Sequence, residues 1–231
     1  MKHLFFDLDR TLWDFEKNSE TALSILYDDL KLGDHLRSFR SFHTKYKKIN
    51  GELWDQYSKG KISKDILRVK RFQDTLAHFE VKSTELSHAL ADGYISLSPH
   101  QTHLFPDAIE TLEQLKNDDF ELHIITNGFL EVQHIKLDKS GLKPYFDVIL
   151  CSEEVGKNKP SRLVFDRALD LAKAKHDESI MIGDSYEADI VGAENAGIRA
   201  ILFDPDRVHR DGRHKWHIHE LKQIPDTLPW M

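Results

Sequence analysis

The strongest constraint in this chain is a short apolar run that stops at two carboxylates, His3-Leu4-Phe5-Phe6-Asp7-Leu8-Asp9. Phe5 and Phe6 favour a pleated strand buried on both faces, and Asp7 ends the run. Such a strand delivers acid to its carboxyl end, where ligands bind in open α/β sheets. One carboxylate there can serve as nucleophile and metal ligand while the other moves protons. Taken alone, the stretch reads equally well as a strand with an acidic turn in which Asp9 caps something local. The remainder of the chain separates the two.

After Thr11 the pattern turns helical for roughly eighty residues. Leu23, Ile25, Leu26 and Leu30 predict a helix with Asn18-Ser19 as its N-cap pair and Gly33 as its stop. A second helix spans about His35 to Lys59, Ser63 caps a third that carries Ile66 to Phe79, and a fourth starts near Ser83. From Leu104 onward strands alternate with helices: Glu121–Ile125, Phe146–Leu150, Ser179–Ile182 and Ile198–Phe203 are the expected strands. This rhythm predicts an α/β fold, a doubly wound parallel sheet with an inserted α-helical cap. The expected core is residues 1–14 and 99–231, and the expected cap is residues 15–98.

A chain of 231 residues suffices for one core plus an inserted subdomain. The net charge of −7 argues against a nucleic acid polymer as partner, because backbone binding needs a basic face. A small anionic substrate remains compatible. The single cysteine, Cys151, lies in an apolar run and reads as a buried inert thiol. No apolar stretch approaches the roughly 20 residues that span a bilayer, and no signal-peptide pattern opens the chain, so a cytoplasmic protein with no membrane partner is expected. His209, His214, His217 and His219 read as a solvated tail, since no carboxylate or cysteine framework accompanies them in sequence.

Three later strand ends carry groups suited to one task. Thr126 offers a hydroxyl, and Asn127 and Gly128 offer backbone N–H groups to phosphate oxygens. Lys159 supplies a cation, and Asp184 a second hard oxygen ligand for Mg²⁺, with Asp189 five residues on. Each alone is ordinary turn chemistry. Together they suit phosphoryl transfer, in which hydrolysis needs accelerations of up to about 10²¹ and charge neutralisation carries most of the work.

Asp7-Leu8-Asp9-Arg10-Thr11, Thr126, Lys159-Pro160 and Gly183-Asp184 with Asp189 resemble the four motifs of the haloacid dehalogenase-like (HAD) hydrolase superfamily, whose core is Rossmann-like. The Leu12-Trp13-Asp14-Phe15-Glu16-Lys17-Asn18-Ser19 run resembles the pyrimidine 5′-nucleotidase branch. The resemblance implies Asp7 as nucleophile and Mg²⁺ ligand, Asp9 as acid/base with its backbone carbonyl on the metal, and Asp184 as the remaining carboxylate ligand. It implies Thr126 and Lys159 as phosphate-binding groups, with Asp189 supporting the metal shell or orienting Lys159. Lys159 is preferred to Lys157 because the family lysine directly precedes a proline. Arg10 departs from the pattern, standing where glycine is commoner.

Trp13, Phe15, Trp54 and Tyr57 are candidates for stacking on a base, against a core role favoured for Trp54 and Tyr57. Arg68 and Arg71 on the third helix are candidates for contact with the sugar or phosphate, against a surface role that is favoured. The expected activity is a Mg²⁺-dependent 5′-nucleotidase, a phosphomonoesterase of nucleotide metabolism acting through an aspartyl phosphate, as a monomer or homodimer. A sugar-phosphate phosphatase or phosphomutase would use the same core. A phospho-accepting signalling domain shares the chemistry but places its acceptor on a later strand and lacks the insertion.

Overall fold

The computed structural model describes residues 2–209 and 214–228. The chain divides into two compact units, one of Met1–Phe15 with Thr102–Met231 and one of Glu16–Gln101.

The first unit opens with β1 (His3–Phe6), every residue of which is buried. The second unit is all helical: α1 (Phe15–Asp29), α2 (Phe39–Ser58), α3 (Lys64–His78) and α4 (Thr84–Leu97). Ser38, Ser63 and Ser83 cap the last three through their side-chain oxygens. Asn18 and Ser19 do not cap α1 as the sequence suggested. Both are buried inside it, and Ser19 Oγ accepts a hydrogen bond from the Tyr94 hydroxyl at 2.9 Å. The core of this unit is Phe42, Tyr46, Phe72, Leu76, Leu90 and Tyr94 with the apolar face of α1.

The first unit resumes with α5 (Ala108–Asn117), β2 (Glu121–Thr126), α6 (Leu130–Lys139), β3 (Val148–Cys151), α7 (Arg162–Ala172) and β4 (Ser179–Gly183). A π-helical turn, Tyr186–Val191, then leads into α8 (Gly192–Asn195), followed by β5 (Arg199–Phe203), β6 (His217–Ile218) and α9 (Ile224–Thr227). The six strands pair in the order β3-β2-β1-β4-β5-β6, and every pairing is parallel. Side chains alternate between faces along each strand. Leu4, Phe6, Ile124 and Ile182 join α5 and α9 in one core, while Phe5, Ile125 and Met181 join α7 and α8 in the other. The central strand β1 is therefore covered on both faces, as its unbroken apolar character requires.

β6 corrects the expectation of a solvated tail. His217 and Ile218 pair with Leu202 and Phe203, and Ile218 is buried. The missing carboxylate comes from Asp204, just after β5: its Oδ2 is 3.1 Å from His217 Nε2, and its carboxylate also accepts from the Val208 and His209 N–H groups. A two-residue strand is too short to show a periodicity, which is why the sequence did not reveal it.

Candidate active site

Every strand-end group predicted from the sequence lies at the carboxyl edge of the parallel sheet. Asp7 follows β1 directly and continues the ladder, its N–H donating to Ile182 O at 2.9 Å. Lys159, on the loop after β3, is only 2% exposed, whereas Lys157 is exposed to solvent. Its Nζ donates to Asp7 Oδ1 at 2.7 Å, to Asp189 Oδ1 at 2.6 Å and to Ile125 O at 2.7 Å. All three ammonium donors are thereby spent, which is what a buried lysine requires. Burial alone pushes this ammonium down, but Asp189 and Asp7 more than offset it and hold it charged.

Asp189 has both carboxylate oxygens committed, since Oδ2 accepts from Ser185 N at 3.0 Å. The π-helical turn carries Asp189 back over the end of β4, and this is why Gly183 precedes Asp184. A Cβ on Gly183 would run into the Asp189 carboxylate. Asp184 itself is half-buried and accepts a long contact from Thr11 Oγ1 at 3.5 Å.

The charge balance tests whether a metal suits these residues. Asp7, Asp184 and Asp189 each offer a carboxylate oxygen within 4.8 Å of one another, against the single ammonium of Lys159. Burial, with Asp189 and Asp9 adding to it against Lys159, pushes Asp7 up to about 7. Burial, then Asp7 and Asp189, pushes Asp184 well above the usual carboxylate range. A dry site with more carboxylates than cations resists ionisation, and a hard divalent cation restores it. The all-oxygen donor set fits Mg²⁺.

Asp9 is held by two side chains that the sequence reading missed. Lys136 Nζ lies 2.5 Å from Asp9 Oδ1, and Gln133 Nε2 donates to Asp9 Oδ2 at 2.8 Å and to Thr126 Oγ1 at 2.6 Å. Gln133 and Lys136 are both buried on α6. Their three-residue spacing on an otherwise weakly amphipathic helix was the available signal. Lys136 also stands 4.2 Å above the Trp13 ring. Gly128 makes room for Gln133, because a Cβ there would collide with its amide.

Other expectations change in detail. The Gly128 N–H is taken by Thr126 Oγ1 at 3.1 Å, so it is not presented to a phosphate. The Asn127 side chain accepts from Lys159 N at 2.8 Å and donates to Lys159 O at 3.1 Å, fixing the lysine's backbone. Arg10 has φ 67°, the left-handed region that favours glycine, so the tight loop is kept without one. Its guanidinium lies 4.4 Å from the Phe15 ring centroid.

The stacking candidates divide. Trp13 is fully buried beneath Lys136 and lacks an open face, and Phe15 packs beside it edge-on at 6.3 Å. Trp54 and Tyr57, expected in the core, are instead half-buried and meet edge to face at 5.5 Å on α2. Arg71 corrects the surface reading. It is buried, donates to Asn50 Oδ1 at 3.4 Å and lies 4.7 Å from the Tyr94 ring centroid. Cys151 is buried as expected, and burial pushes its thiol up to about 12.

Comparison with known proteins agrees with this geometry. Residues 4–203 match the haloacid dehalogenase-like hydrolase family. The chain is 31% identical to pyrimidine 5′-nucleotidase PynA of Streptococcus pneumoniae, over 98% of this chain and 94% of that protein. It is 32% identical to pyrimidine 5′-nucleotidase YjjG of Escherichia coli, over 96% of each. The crystal structure of the HAD-hydrolase YfnB from Bacillus subtilis bound to magnesium superposes with a TM-score of 0.89 at 28% identity, covering 99% of this chain and 98% of that one. Strand-end carboxylates, a buried lysine and full-length similarity converge: the chain belongs to the haloacid dehalogenase-like hydrolase family and resembles its pyrimidine 5′-nucleotidase branch.

Proposed function

We propose that this chain is a Mg²⁺-dependent phosphoric monoester hydrolase that acts through an aspartyl phosphate on Asp7, with pyrimidine nucleoside monophosphates as its substrate class. The observation that carries the chemistry is the Lys159 ammonium fixed between Asp7 and Asp189 beside Asp184. The substrate class rests on similarity to the two nucleotidases.

Asp7 attacks phosphorus through its carboxylate, forming a P–O bond as the bond to the leaving alkoxide breaks. Asp9 gives that oxygen a proton. A water then attacks phosphorus, losing its proton to Asp9 and releasing Asp7 with inorganic phosphate. Lys136 and Gln133 fix both oxygens of Asp9 for these two transfers, and Gln133 orients the Thr126 hydroxyl at the same time. Lys159 neutralises charge beside the nucleophile, while Asp189 and Asn127 keep it in place. Asp7, Asp184 and, as the family resemblance implies, the Asp9 backbone carbonyl would hold Mg²⁺, which would supply neutralisation of the phosphoryl oxygens. To the helical insertion that comes after Asp7 and Asp9 in sequence we assign choice of the leaving group. The single buried thiol and the absence of any helix long and apolar enough to cross a membrane, among the described residues, support a cytoplasmic setting.

The test is phosphate release from nucleoside monophosphates and sugar phosphates, with Mg²⁺ or chelator. Metal-dependent turnover of UMP or dTMP is expected, vanishing in Asp7→Asn. Preference for sugar phosphates would keep the mechanism and replace the substrate class. A lasting phosphoryl adduct with no turnover would point to signalling instead.

A further inference from the structure

At the opposite end of β1 and β2 stands a second polar cluster that phosphoryl transfer does not use. Parallel pairing sets His3 beside Glu121 and Phe5 beside His123. Alternation then puts His3, Glu121 and His123 on one face, the face whose deeper positions are Phe5 and Ile125. His3 Nδ1 lies 3.2 Å from His123 Nε2 and 3.5 Å from Glu121 Oε2, and one donor atom from each residue falls within 4.8 Å of the others.

Two ligands of a tetrahedral metal at bond lengths of about 2.0–2.1 Å stand about 3.3–3.4 Å apart, close to both spacings. The ligand chemistry agrees. Both imidazoles are buried, and burial keeps them neutral with a lone pair to give. The other oxygen of Glu121 is held by Lys2 Nζ at 2.7 Å, the outer contact that orients a ligating carboxylate. Asp147 and Glu178 add negative charge around the histidines, against Lys2 and Lys116.

A proton shared between the two rings is the competing account, and the titration below separates it from a bound ion. His123 Nδ1 is buried with no hydrogen-bond partner among the described residues. It stays unpartnered whether a proton or an ion lies between the rings, so it does not separate the two accounts. The Asp204, His217 and His219 group differs, because backbone N–H groups already occupy the Asp204 carboxylate.

We propose that His3 Nδ1, His123 Nε2 and the Glu121 carboxylate form a binding site for a divalent ion of the Zn²⁺ class, with the fourth position open to water. The site is separate from the carboxylate centre: the four residue steps of extended chain from His3 to Asp7 span about 13 Å. Nitrogen donors select against Mg²⁺, so the two ends of the sheet would hold different ions.

The test is a Zn²⁺ titration of the chelator-stripped full chain against a chromophoric chelator, in excess Mg²⁺ to occupy the carboxylate end. The native chain should take up Zn²⁺ at this site, and His3→Gln with His123→Gln should remove one equivalent. Glu121→Gln changes a partly exposed side chain, keeps the fold and should weaken binding about tenfold or more. His217→Gln should leave that equivalent in place. Equal uptake and affinity in the native chain, Glu121→Gln and the double variant would overturn the proposal, as would no uptake by the native chain.

Discussion

The two ends of β1 solve the problem of buried polarity in opposite ways. At the carboxyl end, three carboxylates face one lysine, and burial pushes Asp7 and Asp184 toward their protonated forms. At the amino end, two imidazoles meet with no cation between them, and burial pushes both toward their neutral forms. One strand thus carries a site short of positive charge at each end. The difference is in the donors: hard oxygens at one, imidazole nitrogens with a single carboxylate at the other.

The largest expected break between the two ends is in turnover. Asp7→Asn should lower kcat by on the order of 10⁴-fold or more, since it removes the proposed attacking group. Glu121→Gln at the far end should leave kcat within about twofold under saturating Mg²⁺. Steady-state phosphate release measures both, and a comparable loss from Glu121→Gln would show that the ends are coupled.

Next comes the clamp on Asp9. Lys136→Met should cost about 10²-fold in kcat, with a displaced pH profile and a smaller change in KM. A loss confined to KM would assign Lys136 to binding instead. Gly183→Ala should destabilise the fold by about 1–3 kcal/mol in urea unfolding, because its Cβ meets the Asp189 carboxylate. No change would mean that the π-helical turn shifts without cost.

The smallest effect is a pair of opposed slopes in stability. Burial, with Asp189 and Asp9, raises Asp7 from 3.8 to about 7, so the folded chain keeps a proton that the unfolded chain loses. In chelator, this contribution falls as pH rises from about 4 to about 7. Burial, then His3, lowers His123 from 6.5 to about 4, so the folded chain refuses a proton that the unfolded chain takes. That contribution falls as pH drops from about 6.5 to about 4. Relative to the native chain, urea midpoints across this range should therefore fall more steeply with rising pH in His123→Gln and less steeply in Asp7→Asn, where Asp184 still contributes a fall. Identical profiles for the two variants would remove the distinction between the ends.

Much of the carboxyl end was legible beforehand, because parallel strands read as continuous apolar runs and their ends are marked by the first polar residue. Asp7, Thr126, Lys159 and Asp184 each come after such a run, and the preference for Lys159 over Lys157 agrees with their burial. Gln133 and Lys136 were not legible. They sit in the middle of a helix, where a polar side chain reads as solvated until the packing of α6 is known. Arg71 and the pair Asn18 and Ser19 were misread for the same reason. Arg71 and Ser19 are buried against partners distant in sequence.

The sequence by itself determined the sheet, the order of its elements, the helical insertion after β1 and the polar groups that end the strands, because apolar periodicity and polar termination are local properties of the chain. Only the tertiary structure decided what partners those groups meet. That Lys136 reaches Asp9 across 127 residues, that His3 meets His123 across 120, and that Asp204 takes in His217 depend on strand register and helix packing. Register is a property of neighbouring strands rather than of either one, so no stretch of the chain read alone contains it.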